Sequence, residues 1–450
     1  MELINRKGIS WELSDGVWGR SPDQRDEDTT FRSLHFQELL PPNTPGGIWS
    51  VIHGDLGVDT QDISFWLDED ALFLVEFISP EDIWRIHFRH LSTNETHRRA
   101  FAPFIDFNKG SHLIWENFEL LCYEERISAQ FFDHHNHNGT KQRAAIFLDW
   151  TTGEIMMPYT VALDITFLTK DLLVLAIPVL TEYGTIVLEV KSLKSGITLY
   201  RCELPISWRN YSVRFLSHPS SNQGANCPTR YAKLFVPDPS LDILGIALRD
   251  SENRLSATIV LSIDLFLRKC HGLMALSEDT GQHATPTFEW EQWGPDVTRW
   301  LPDNTRGDSG PRTVYGARMV AMIFDGRAYY NGLLDFNPRT ILHSPAKEKG
   351  DDYELTVQIE ETEIILHGRV IKSRLPCRVR LSTRREQYWN LSLQANTIIG
   401  RKVSVESPLN HYLNIINRRA CSTSFRFCLG TLLIPGNLYH PKGFKEPHIL

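Results

Sequence analysis

Thr287-Phe-Glu-Trp-Glu-Gln-Trp-Gly-Pro-Asp-Val-Thr-Arg-Trp-Leu301 is the stretch on which the reading of the fold turns. The chain then crosses a polar loop to Tyr315-Gly-Ala-Arg-Met319 and reaches Leu333-Leu-Asp-Phe-Asn-Pro-Arg-Thr340. Trp290, Trp293 and Trp300 fall within eleven positions, interrupted by Gly294-Pro295, a pair that predicts a turn inside a rigid aromatic corner. An alternating apolar strand follows at 319–324. No side chain here is an obvious nucleophile, metal ligand or phosphate cradle, so the stretch speaks for architecture before chemistry.

Working outward, short apolar runs of strand length recur along the chain. Upstream, 63–67, 72–77 and 84–91 suggest one unit, and in the last of them Trp84, Ile86 and Phe88 alternate with Arg85, His87 and Arg89 at the period of a half-buried strand. Further runs at 113–123, 144–150, 165–168, 172–180, 185–193, 234–237, 243–248 and 258–267 continue the pattern. Downstream of the tryptophans, 333–336, 355–359, 364–371 and 378–381 extend it. Helical periodicity is confined to 265–276, where Phe266, Cys270, Leu273 and Met274 share one face.

Several runs close in the same way, with an apolar strand followed by a polar turn: His90-Leu-Ser-Thr-Asn, Asp149-Trp-Thr-Thr-Gly-Glu, Lys191-Ser-Leu-Lys-Ser-Gly and Asp335-Phe-Asn-Pro-Arg. Such a repeat predicts an all-β, β-propeller-like fold of about six or seven degenerate blades with long loops. Radial packing also lets many short strands coexist with few exposed edges. Two stacked-sheet domains are the other arrangement the strands allow. The expected organisation is a loop-rich opening segment over 1–60, rich in Pro, Gly and Asp and joining the propeller, a propeller-like domain over 61–405, and an irregular tail over 406–450.

Composition narrows the function classes. Apolar residues make up 42% and charged residues 23%, enough for a sizeable core. The net charge of −8 argues against a phosphate-tracking, nucleic-acid-binding protein. The seven cysteines are scattered without a Cys-x-x-Cys pair, as expected of a reducing compartment, cytoplasmic or nuclear. No signal-like segment or run long enough to span a membrane is evident.

The combination Trp290-x-x-Trp293-Gly-Pro-x-x-x-Arg299-Trp300, Gly316-x-Arg318-Met, Leu334-Asp-Phe-Asn-Pro338 and Leu148-Asp-Trp-x-Thr-Gly153 resembles the F-box-associated propeller family expanded in mushroom-forming fungi. The likeness runs from about Phe31 to about Gly400, a span set by the strand pattern. It implies a propeller-like region that recruits a target protein to a cullin-type ubiquitin ligase, behind an N-terminal F-box that docks on the ligase adaptor. Residues 1–60 lack the helical periodicity of an F-box, so the chain as given is expected not to bind that adaptor.

Weighed one by one, the candidate sites give a short list. Asp133-His-His-Asn-His-Asn-Gly139 is metal-like in composition but reads as a hairpin loop. The adjacent pairs Glu124-Glu125, Asp351-Asp352 and Glu360-Glu361 would point to opposite faces of a strand. Walker, Gly-x-Ser-x-Gly and Gly-x-Gly-x-x-Gly motifs are absent. Arg299 and Trp300 are the possible protein-binding residues, Trp300 being expected to be the more exposed, while Trp290, Trp293, Gly294, Pro295, Asp335, Phe336, Asn337 and Pro338 are assigned to structure. The expectation is a non-enzymatic protein-interaction module with no cofactor or metal. The alternative is a propeller hydrolase, whose mark would be carboxylates gathered at the central channel.

Overall fold

The computed structural model describes residues 11–14, 17–21, 30–38, 49–79, 81–108, 117–132, 143–179, 184–216, 238–250, 254–278, 285–302, 305–306, 313–324, 328–350, 353–366, 368–383, 388–394, 397–403, 411–417 and 428–430. The fold is an all-β propeller of six blades, antiparallel meanders in I, II and III, while in blade VI the strand Cys377–Ser382 inserts between Tyr329–Asp335 and Tyr353–Gln358. Blade I is formed by Trp11–Ser14, Val17–Arg20, Leu34–Glu38 and Ser50–His53, and blade II by Thr60–Trp66, Ala71–Ile78, Ile83–His90 and Phe104–Asn108. Blade III comprises Asn117–Tyr123, Arg126–Phe132, Arg143–Asp149 and Ile155–Ala162.

Blade IV comprises Asp164–Thr169, Leu172–Pro178, Thr185–Ser192 and Thr198–Ser207, and blade V Ser212–Phe215, Ile243–Arg249, Leu255–Ser262 and Thr298–Pro302. Blade VI is built on Arg318–Phe324, Tyr329–Asp335, Cys377–Ser382 and Tyr353–Gln358, with short strands at both edges. A further four-stranded meander, Tyr388–Gln394, Thr397–Val403, His411–Asn417 and Cys428–Gly430, lies beside blade VI. First strands of successive blades are neighbours, as in I and II, II and III, and IV and V. They line the centre.

The apolar runs follow from this stacking, because each blade is covered on both faces. In the second strand of blade II, Leu72 and Leu74 join a cluster with Phe36 and Val17 of blade I, while Phe73 and Val75 join one with Ala129 and Trp150 from blade III. Blade V divides likewise, Ile246 and Ile259 facing blade IV and Ala247 and Val260 facing blade VI. A strand buried on both sides needs consecutive apolar residues, each contributing about 1.5–3 kcal/mol when a Val, Leu, Ile or Phe is fully covered.

The strand-then-turn repeat is a joint used in five blades. The first residue after one strand of a central hairpin is apolar and buried, and its N–H donates to a carbonyl just ahead of the other strand, the hairpin being the second and third strands in blades II to V and Arg318–Phe324 with Tyr329–Asp335 in blade VI: Leu91 to Asp70 (2.7 Å), Trp150 to Glu125 (3.1 Å), Leu193 to Asp171 (2.8 Å), Ile263 to Asp242 (3.1 Å) and Phe336 to Ala317 (2.8 Å). In blades II, III and IV the turn then closes on a left-handed residue, Asn94, Gly153 or Gly196 (φ 62°, 75° and 68°), whose N–H returns to the end of the strand.

The structure departs from the sequence reading at four places. The opening segment carries blade I, whose strands of four and five residues are too short to show a period. The tail contributes the last two strands of the final meander, while 431–450 lie outside the described residues. The run 364–371 is not one strand but the hairpin Thr362–Leu366/Arg369–Ser373, which reverses near Gly368 at φ 77°. Gly294-Pro295 is not a turn: it lies inside a short helix.

Among the described residues three α-helices punctuate the strands, α1 over Ile263–Glu278, α2 over Trp290–Val297 and α3 over Pro338–Leu342. The first includes the 265–276 helix read from the sequence, with Phe266 and Cys270 fully buried on the expected face. The run 234–237 and the His134-containing loop lie outside the described residues.

Candidate functional site

The first strands bring carboxylates to the centre. Glu12 comes from blade I, Asp62 from blade II, Glu119 from blade III and Asp164 from blade IV, and they are near enough to perturb one another electrostatically. Two of them tie one blade to the next. Asp62 Oδ2 accepts the Leu120 N–H (3.3 Å), and Asp164 Oδ2 accepts the Phe215 N–H (2.5 Å).

Arg143 lies between Glu119 and Asp164, its Nε 2.8 Å from Asp164 and its Nη1 on Glu119 and on Gln130 Oε1 (3.0 Å). Gln130 passes the contact on by donating to the Ile165 carbonyl (3.0 Å). Burial works against the Arg143 charge, but Asp164 and Glu119 outweigh it and raise the guanidinium pKa. Burial likewise raises Asp164 despite Arg143. For Asp62, burial first and then Glu12 and Glu119 push the carboxyl well above the usual carboxylate range.

The residues singled out from the tryptophan stretch come together elsewhere, between blades IV and V. After α1, Thr287–Phe288 pairs in parallel with Arg201 and Cys202 on the edge of blade IV, α2 follows, and the chain returns as the outer strand of blade V. Trp290 meets Trp293 edge-on at 5.0 Å and Trp300 at 5.7 Å, and Phe266 of α1 meets Trp293 at 5.3 Å. The Trp293 indole N–H donates to the Glu203 carbonyl (3.2 Å) of blade IV. The Pro295 carbonyl accepts the Arg374 N–H (2.7 Å), and the Gly294 carbonyl accepts the Thr298 hydroxyl (2.7 Å).

Arg299 and Trp300 are both 1% exposed, which corrects the expectation of a binding face and of a more exposed Trp300. The outer hairpin 362–373 lies against this strand and covers it, and the Trp300 N–H donates to Ser373 Oγ (3.0 Å). Arg299 acts as a clamp. Its Nε donates to the Leu375 carbonyl (2.7 Å), Nη1 to the Glu360 carbonyl (3.0 Å) and Thr362 Oγ1 (2.9 Å), and Nη2 to the Gln358 carbonyl (3.1 Å). Burial lowers its pKa.

The remaining residues assigned to structure lie at the end of the blade VI strand Tyr329–Asp335 and the start of α3. Asp335 is buried between Arg378 (3.0 Å) and Arg318 (3.5 Å), and Phe336 is the buried residue of the blade VI joint. Asn337 Oδ1 caps α3 by accepting the Arg339 N–H (2.9 Å), with Pro338 as its first residue.

Sequence reasoning missed a surface on the rim of blades II and III. Phe101, Phe104 and Ile155 are 43%, 40% and 54% exposed. The Phe101 ring lies against Gly153, where an added Cβ would come 2.5 Å from it, and the Phe101 N–H donates to the Trp150 carbonyl (3.3 Å). The Arg85 guanidinium covers Phe104 at 3.9 Å. Tyr159 and Val161 are also exposed, further along the strand that starts at Ile155. The available signal was the spacing of Phe101 and Phe104 around Pro103, outside any strand period.

No family model matches the sequence, and no curated protein matches it. Among solved structures, the β-propeller domain of the trilobed protease from Pyrococcus furiosus is similar over 95% of this chain and 100% of that one, at 5% identity and a TM-score of 0.43. The acylaminoacyl peptidase of Pyrococcus horikoshii is similar over 91% of this chain and 50% of that one, at 8% identity and a TM-score of 0.37. Hsv2 of Kluyveromyces lactis is similar over 74% and 94%, at 9% identity and a TM-score of 0.33. Likeness at this level says nothing of activity. Among the described residues, no group of His, Cys, Asp and Glu is arranged to hold a metal ion, and no helix is long and apolar enough to cross a membrane.

Proposed function

We propose that the chain is a non-enzymatic protein-interaction module, of the target-recruiting kind implied by its resemblance to the F-box-associated propellers. The observation that carries this reading is exposed apolar area on blades II and III, Phe101 against the Gly153 turn with Ile155 two residues beyond it and Phe104 at the start of the outer strand of blade II. The central carboxylates are the mark expected of the hydrolase alternative, although Asp62 and Asp164 each accept a backbone N–H of a neighbouring blade and Arg143 engages Glu119. The test is photo-crosslinking from residue 101 or 155, with residue 276 on α1 as the exposed apolar control. A discrete partner captured from the rim positions and lost in Phe101→Ser/Ile155→Ser supports the reading. Equal capture from all three positions overturns it.

A second reading, a propeller hydrolase, rests on Asp62, whose raised pKa beside Glu12 and Glu119 suits a general acid. Screening with chromogenic esters and glycosides separates the two readings: turnover abolished by Asp62→Asn supports the hydrolase, and turnover indifferent to that substitution removes Asp62 from it.

A further inference from the structure

Beside the rim lies a group of ionisable side chains that neither reading uses. His90 ends the third strand of blade II, His97 follows its turn, and their ring centroids are 4.2 Å apart. The Arg98 N–H donates to His90 Nε2 (3.3 Å) and the Arg99 N–H to His97 Nδ1 (3.2 Å). A backbone N–H can only donate, so these two nitrogens carry no proton. The ring protons therefore sit on the other nitrogens, His90 Nδ1 donating to Asp70 Oδ2 (3.1 Å) and His97 Nε2 to the Glu69 carbonyl (2.9 Å). Both rings are neutral and both are fully used.

We propose that His90 and His97 form a proton-operated latch on residues 97–101, closed while both rings are neutral and opened when either takes a second proton. The added proton would occupy the nitrogen at which a backbone N–H already points, setting donor against donor. Two imidazolium rings at 4.2 Å would also repel.

The surroundings set the balance. Asp70 and Glu69 favour protonation of His97, although Asp70 also accepts the Ser92 N–H (2.8 Å) and hydroxyl (2.5 Å), and Glu69 is engaged by Arg99. Arg99 reaches Glu125 as well (3.3 Å), Arg98 adds a second positive charge, and His53 bonds the Leu91 carbonyl (2.7 Å). The Trp150 ring meets His97 edge-on at 5.0 Å. Burial is the largest influence on His97 and lowers its pKa. A folded-state pKa below the ordinary value of about 6.5 means that the latch is fully closed above that pH and is lost as the pH falls through and below it.

The segment matters because it holds the rim. The Ala100 N–H donates to the His97 carbonyl (3.1 Å), and Phe101 rests on the Gly153 turn of the next blade. Opening would release Phe101 from blade III. The latch does not depend on the interaction reading, but if that reading holds, binding at the rim weakens in acid.

The test is amide hydrogen–deuterium exchange on the full chain, normalised to the intrinsic rate at each pH. Protection of residues 98–101 should fall about tenfold between roughly pH 7.5 and 5.5, while that of the blade IV strand 185–192 stays constant. His90→Gln/His97→Gln should abolish the dependence. Should that variant not fold, Asp70→Asn removes a negative charge that favours protonation of His97 and should move the opening to lower pH. Protection that is equal at both pH values, a dependence that persists in the double variant, or an opening unmoved by Asp70→Asn overturns the latch.

Discussion

The Trp290 ring lies so close to the Gly294 backbone that a Cβ added there would stand 2.3 Å from ring atom Cε3. The glycine is thus a recess in α2 that lets the ring lie across the helix toward Trp300. Gly294→Ala would ordinarily favour a helix, yet here it must displace an indole, so the expected result is a loss of about 1–3 kcal/mol. Denaturant melts measure it, and a gain in stability would refute the recess.

Trp293 and Trp300 should both behave as core. Truncation of either to Ala is expected to cost about 3–5 kcal/mol. They should differ on replacement by Phe. The Trp293 N–H donates to Glu203, whereas the Trp300 indole N–H meets no acceptor among the described residues. Trp300→Phe should therefore cost less than Trp293→Phe, a ranking that melts of the two variants can reverse.

Arg299→Met should destabilise despite relieving a buried charge, because it orphans the Leu375, Glu360 and Gln358 carbonyls at once. At about 1–3 kcal/mol for each unsatisfied buried group, the loss should exceed that of Arg299→Lys, which retains one donor head. Equal melting midpoints for the two variants would contradict the clamp.

Asp62 gives a pH test with a definite sign. Its folded-state pKa is raised above the unfolded value of about 3.9. Its contribution is therefore fully present below that value and is lost as pH rises through the folded pKa. Asp62→Asn, permanently neutral and still able to accept the Leu120 N–H, should be more stable than the parent at pH 7, the gap closing toward about pH 4. Asp164 is raised in the same direction, burial outweighing Arg143, so the pH dependence of Asp164→Asn relative to the parent should have the same sign.

The fold was legible wherever the sequence carried long, doubly covered strands. Phe73, Val75, Trp84 and Phe88 announced blade II, and the turns after His90, Asp149, Ser192 and Asp335 announced the joint that most blades share. Blade I was not legible, its four- and five-residue strands being too short for periodicity to register. The strand Arg126–Phe132 was hidden by Ser128 and Gln130, polar residues that the fold buries and, for Gln130, satisfies with the Ile165 carbonyl. Gly294-Pro295 misled because the local turn propensity yielded to packing of three indoles. Arg299 looked like a surface residue since its acceptors are carbonyls 59 to 76 positions away, which no local spacing reveals.

The detour that places Thr287–Phe288 on blade IV before the chain completes blade V has a mechanical consequence. Tension applied at the two ends cannot extract blade V alone, since its outer strand is tethered through α2 and that short parallel strand to the neighbouring blade. In an optical trap the earlier blades are free to release singly, whereas blades IV and V should rip together, in one extension step of roughly twice the contour length.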